Sequence, residues 1–141
     1  MYFDVSEIRN DKIEHDIMRL KQFAERTFMS DYDEDASIEV RFEPLEDEGI
    51  DGFCSREDDD SFLIELSPKL RGEDLIRTVI HELVHVKQYL SGKLSQVHRN
   101  GKGPRMYWNK MDMTYLLYEG RPQECEAHSL EDRLCKQFLS L

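Results

Sequence analysis

Apolar residues recur with two distinct periods along this chain, and the changes of period divide it into elements. Ile13, Ile17, Leu20, Ala24 and Phe28 have the spacing of one helical face, which predicts an amphipathic helix over residues 6–29 with Ser6 as a candidate N-cap. Ile38, Val40 and Phe42 then alternate with Glu39, Arg41 and Glu43, the period of a half-buried strand, and Pro44 closes it. The stretch holding Gly49 and Gly52 reads as a loop with a short strand near Phe53. Alternation returns from Ser61 to Ser67, with Phe62, Ile64 and Leu66 on one side, and stops at Ser67-Pro68.

From Glu73 to Leu90 the period becomes helical again. Leu75, Val79, Leu83, Val86 and Leu90 form a stripe that Ile76, Ile80 and Val84 widen, and Gly92 stands where a left-handed C-terminal residue is expected. Residues 91–121 read as a loop with a small hairpin across Asn109-Lys110, in which Trp108 serves as an anchor. Pro122 suits the first position of a last helix, with Ala127, Leu130, Leu134 and Phe138 as its buried stripe. Neither an internal repeat nor a linker divides the chain. The expectation is one α+β domain covering residues 1–141.

Composition narrows the setting. No stretch approaches the roughly 20 apolar residues that a membrane span needs, so no membrane partner is expected. No basic segment leads into an apolar run at the N-terminus, so no signal peptide is expected. Cys54, Cys125 and Cys135 are odd in number and irregularly spaced, which argues against a disulfide framework and for a reducing, cytoplasmic location. The net charge of −11 is concentrated: residues 31–60 hold 14 of the 30 acids and only Arg41 and Arg56 among the basics. Such a run reads as a solvated loop, and the acidic balance counts against a nucleic-acid partner. A weaker basic stretch lies between Lys93 and Arg121.

The candidate chemistry sits in His81-Glu82-Leu83-Val84-His85. Two histidines at i and i+4 lie about 40° apart around a helix axis, one turn along, so both rings reach one ion. Glu82, beside that pair, is placed to take a proton from water at the metal rather than to ligate. Gln88 shares the face of His85 as a supporting or substrate-contacting residue. A shuffled chain with 5 His would contain such a motif roughly one time in fifty, so its weight comes from its setting in a strongly periodic helix behind an alternating strand.

Zinc suits two imidazoles and a nearby carboxylate, and a catalytic zinc normally takes a third protein ligand. His98, Glu124 and Glu126 are the candidates. On the wheel of the last helix Glu124 and Glu126 lie equally far from the buried stripe, so periodicity does not choose between them. Cys125, next to them, points away from that stripe, which disfavours it as an inhibitory thiolate.

Leu75–Gln88 (LIRTVIHELVHVKQ), followed by Pro122–Ala127 (PQECEA), resembles the small gluzincin metallopeptidases, in particular minigluzincins and related phage-encoded peptidase-like proteins. The resemblance implies a zincin-like core: an N-terminal backing helix, a small mixed sheet, an active-site helix carrying HELVH and a C-terminal glutamate helix. It implies a zinc peptidase acting on a peptide or protein substrate, with His81, His85 and Glu124 as ligands and Glu82 as general base. Glu124 is favoured because gluzincin ligands are commonly followed three residues later by a small residue, here Ala127, where Glu126 would have Ser129. The position four after the ligand, often acidic or an amide and bracing a zinc histidine, is His128 here. Gln123 stands where many relatives carry an aromatic.

The family also implies a His or Tyr that stabilises the oxyanion, with His98, Tyr107, Tyr115 and Tyr118 in the right segment. The strand Ser61–Ser67 resembles the edge strand that pairs with extended substrate. Two other readings accompany this one. A non-proteolytic zinc-binding protein could use the same fold, and His98 as third ligand would resemble SprT-like proteases.

Overall fold

The structure is a computed structural model that describes residues 1–31, 35–99 and 102–141, with the side chains of all of these except 98, 99 and 102–104. Its elements run β1 (Tyr2–Asp4), α1 (Asp11–Arg26), β2 (Ser37–Phe42), β3 (Gly52–Asp58), β4 (Ser61–Leu66), α2 (Gly72–Leu90), β5 (Leu94–Arg99), β6 (Lys102–Trp108), β7 (Met111–Asp112) and α3 (Pro122–Leu139). Three helices and two small sheets make an α+β fold, in agreement with the sequence pattern.

The larger sheet has the order β1-β2-β4-β3. β1, β2 and β4 are parallel, and β3 joins β4 antiparallel, so the sheet is mixed. Ile38 pairs with Phe62 and Val40 with Ile64, and all four are buried, whereas the alternating Glu39, Arg41 and Glu65 point to the other face. One face is therefore apolar, and the helices cover it: Ile17 and Leu20 of α1, Val79 and Leu83 of α2, and Leu134 and Phe138 of α3 join the same cluster. Each fully buried aliphatic or aromatic side chain contributes about 1.5–3 kcal/mol, which sets the sheet's register, because a one-residue slip would expose the whole row.

Several boundaries differ from the sequence expectations. The first helix starts at Asp11, not near Ser6: Asn10 is its cap, Oδ1 accepting from the Ile13 N–H at 3.1 Å, while Ser6 N–H bonds to Asp4 Oδ1 in the turn after β1. It ends at Arg26, because Thr27 returns its hydroxyl to the Phe23 carbonyl at 2.6 Å and leaves helical geometry. The acidic stretch is not simply a solvated loop, since its second half forms the seven-residue β3. Consequently the Ser61–Leu66 strand is interior, paired on both sides, and the edge strand next to it is β3, with β1 at the opposite edge.

The second sheet, β5-β6-β7, is antiparallel and follows α2 through Gly92, whose φ of 81° is the left-handed conformation expected there. Asn109 (φ 50°) and Lys110 (φ 69°) form the two-residue turn of the β6–β7 hairpin, the geometry that suits twisted strands. Trp108 is half-buried, faces Leu94 across the strands, and carries Lys93 Nζ 5.8 Å from its ring centre. Among the described residues no helix is long and apolar enough to cross a membrane.

Candidate metal centre

α2 and α3 pack side by side, and the site lies between them. α2 buries nearly its whole circumference over residues 79–86, so His81 and His85 are held in protein at 7% exposure each. α3 begins at Pro122, whose ring presets the first helical φ and whose missing N–H would have had no partner there. That start places Glu124 in the first turn, buried and facing α2.

Glu124 Oε1 lies 3.0 Å from His81 Nε2 and 3.2 Å from His85 Nε2, and the two Nε2 atoms are 3.2 Å apart. Each ring is held from behind. His81 Nδ1–H donates to Glu131 Oε2 at 2.9 Å, and His85 Nδ1–H donates to Gln88 Oε1 at 2.8 Å. These bonds keep a proton on each Nδ1 and turn both Nε2 atoms toward Glu124, where they donate to the carboxylate when protonated and are free to bind an ion when not. Donors bound at 2.0–2.1 Å to a tetrahedral ion stand about 3.3 Å apart. The triangle formed by His81, His85 and Glu124 matches that spacing, so these three residues could hold a metal ion.

Glu126 is engaged elsewhere. It accepts from Gln88 Nε2 at 3.1 Å and lies 3.6 Å from Lys93 Nζ. The same Gln88 amide donates to the Gln123 carbonyl at 3.1 Å, which pins α3 to α2 beside the site. His98 lies on β5, and its side chain is outside the described residues. Cys125 is exposed and directs its thiol to the Glu119 carbonyl.

Two contributors were not singled out by the sequence. Glu131, not the residue at position 128, holds the His81 ring from behind. It stands seven residues beyond Glu124, two turns along the same face, and that spacing was the signal available. His128 is mostly exposed, bonds to the other Glu131 oxygen at 3.0 Å, and sets its ring 4.7 Å from that of His81. Tyr118 is the second: its hydroxyl donates to Glu124 Oε1 at 2.7 Å, whereas Tyr115 is 81% exposed.

The electrostatics follow from burial against close pairing. Burial pulls the His85 imidazolium down, but the bond to Glu124 and the charges of Glu82 and Glu124 outweigh it, leaving a value of about 9. His81 is raised by the same balance. Burial pushes the Glu124 carboxyl up, yet the bonds from His81 and His85 hold it well below the usual carboxylate range. Glu82 differs. Burial raises its pKa and the two histidine charges only partly reverse that, so it is a weaker acid than an ordinary glutamate. It borders a cavity of about 430 Å³ together with His85, Glu124, Tyr118 and the start of β3.

No family model, curated protein or solved structure matches this chain.

Proposed function

We propose that the chain is a zinc-dependent peptidase built on a zincin-like core, with His81, His85 and Glu124 as its metal ligands. The observation that carries this reading is the buried triangle of two imidazoles and one carboxylate with a separate buried carboxyl, Glu82, bordering the same cavity. Two nitrogens and one oxygen are a donor set suited to zinc, and three protein ligands leave a coordination position open. Zinc held there would supply Lewis acidity, lowering the pKa of water and polarising a carbonyl.

The chain's own residues do the rest. Glu82, made less acidic by burial, takes the proton from the water whose oxygen attacks the carbonyl carbon. It returns that proton to the amine nitrogen as the C–N bond breaks. Tyr118, with its hydroxyl already at the rim of the triangle, donates a hydrogen bond to the oxygen that gains charge. β3 is the free edge beside the cavity, with Gly52 to Ser55 lining it, and an extended substrate adds to that edge through main-chain bonds. The interior position of β4 removes it from that role.

The test is cleavage of an unfolded protein such as casein by the zinc-loaded chain, with and without chelator. Cleavage that chelator abolishes and added zinc restores is the expected result. Cleavage indifferent to chelator, or none at any zinc level, would overturn the reading.

A further inference from the structure

Behind the triangle, on the side of the His81 ring away from Glu124, lies a second set of donors. Glu131 offers one carboxylate oxygen to His81 Nδ1 at 2.9 Å and the other to His128 Nδ1 at 3.0 Å. Donor atoms of these three residues all lie within 4.8 Å of one another. His128 and Glu131 stand at i and i+3 on α3, so they share a face. Arg77 and Lys136 both pair with Asp132, and among the described residues Glu131 has imidazoles as its only salt-bridge partners. His128 does not border the cavity beside Glu82, and its side chain is 57% exposed, so this set opens to solvent where the triangle is buried.

We propose that His81, His128 and Glu131 form a second, outer site for a divalent cation of the zinc or copper kind, joined to the inner one through the His81 ring. This rests on the metal centre proposed above for its inner ion, but neither His85 nor Glu124 is among the outer ligands. Two imidazole nitrogens and a carboxylate favour such an ion over magnesium or calcium, which take oxygen ligands. The incoming ion displaces the proton from His81 Nδ1, and that proton leaves to solvent. The ring then binds one ion through each nitrogen. Glu131 exchanges its hydrogen bond from His81 for a bond to the ion. His128, with room to move at the surface, ligates through Nδ1 and keeps its own proton on Nε2.

The experiment adds zinc to the metal-free chain and counts bound ions by dye competition, with the histidine rings labelled with nitrogen-15. Two ions per chain are expected, and the second should remove the His81 Nδ1–H signal that persists with one. His128→Ala should weaken the second ion by at least about tenfold, since even a residue that only braces a ligand is worth that much, and should leave the first in place. Glu124→Ala should do the reverse. His15→Ala, which alters an exposed histidine of α1, should change neither. A single ion, lost in Glu124→Ala and kept in His128→Ala, overturns this inference and leaves the inner centre standing. A single ion with the opposite dependence overturns the inner centre alone. A second ion that leaves the His81 Nδ1–H signal intact, or that survives His128→Ala at parental affinity, also overturns the outer site.

Discussion

Glu131 Oε2 accepts a hydrogen bond from His81 Nδ1 at 2.9 Å, so the ring that faces Glu124 on one side is held by a second carboxylate on the other. Both carboxylates come from α3. A partner of this kind fixes the tautomer and raises the basicity of the coordinating nitrogen. Glu131→Ala is expected to weaken zinc binding by about tenfold to a hundredfold while the helical content stays unchanged. Competition with a chelating dye measures it, and parental affinity would show that the brace is dispensable.

Glu82→Gln keeps the shape of the side chain and removes its basicity. Zinc content after dialysis should match the parent, while peptide hydrolysis falls by on the order of a thousandfold, the contribution typical of a positioned base. A variant that cleaves at the parental rate would exclude Glu82 from that role.

Tyr118→Phe deletes one hydroxyl. The expected loss is about a hundredfold in kcat with KM nearly unchanged and zinc content intact, because the bond is strongest where charge develops. A change confined to KM would assign the hydroxyl to substrate binding instead.

Protons and a metal ion compete for the same Nε2 lone pairs. His85 has its pKa raised to about 9 in the folded chain against an ordinary 6.5, since Glu124 and Glu82 overcome the effect of burial. With the folded value above the unfolded one, protonation contributes stability that is complete below pH 6.5 and is lost as pH rises through about 9. Metal affinity runs the opposite way, climbing about tenfold per pH unit for each proton displaced, then levelling. Dye competition between pH 6.5 and 9 should show that slope; a flat profile would contradict the imidazole pair as donors.

Gly52 lies where β3 crosses α2. A Cβ there would stand 2.7 Å from Thr78 Cγ2 and 3.4 Å from Glu82 Cγ. Gly52→Ala should therefore cost about 1–3 kcal/mol, as overpacking does, read from the urea midpoint. Gly120→Ala, where a Cβ meets nothing within 4 Å, is the control and should shift stability by less than about 0.5 kcal/mol.

The long periodic segments were legible from residues alone. The α2 stripe and the α3 stripe with Pro122 at its start recur in the fold nearly as written, as do the alternating strands before them. Relationships across the chain were not. Alternation in Ser61–Leu66 reports that one face is buried but carries no information about neighbours, so nothing in the residues could check the edge position that the resemblance suggested, and the strand is interior. β1 is three residues long, too short for a period to register. The choice between Glu124 and Glu126 stayed open on the wheel because the site lies at the flank of the buried stripe, equally near both. It is the contacts from α2 that separate them: Glu124 meets the histidines and Glu126 meets Gln88. Tyr118 belongs to a short 3₁₀ turn at Tyr118–Gly120, with no periodic signature to set it apart from Tyr115.

The exposed edge of β3 is divided along its length. At one end, Gly52 to Ser55 carry no charge and border the cavity; at the other, the strand bulges between Arg56 and Asp58 and continues through Glu57 and Asp58 to Asp59. Those carboxylates repel a like-charged strand, and a bulged, charged edge resists the pairing that turns open strands into aggregates. The repulsion reaches only about 8 Å at physiological ionic strength, so it guards the far end without closing the near one. On the peptidase reading, the stretch of this edge open to an added chain is thus the short uncharged end beside the cavity.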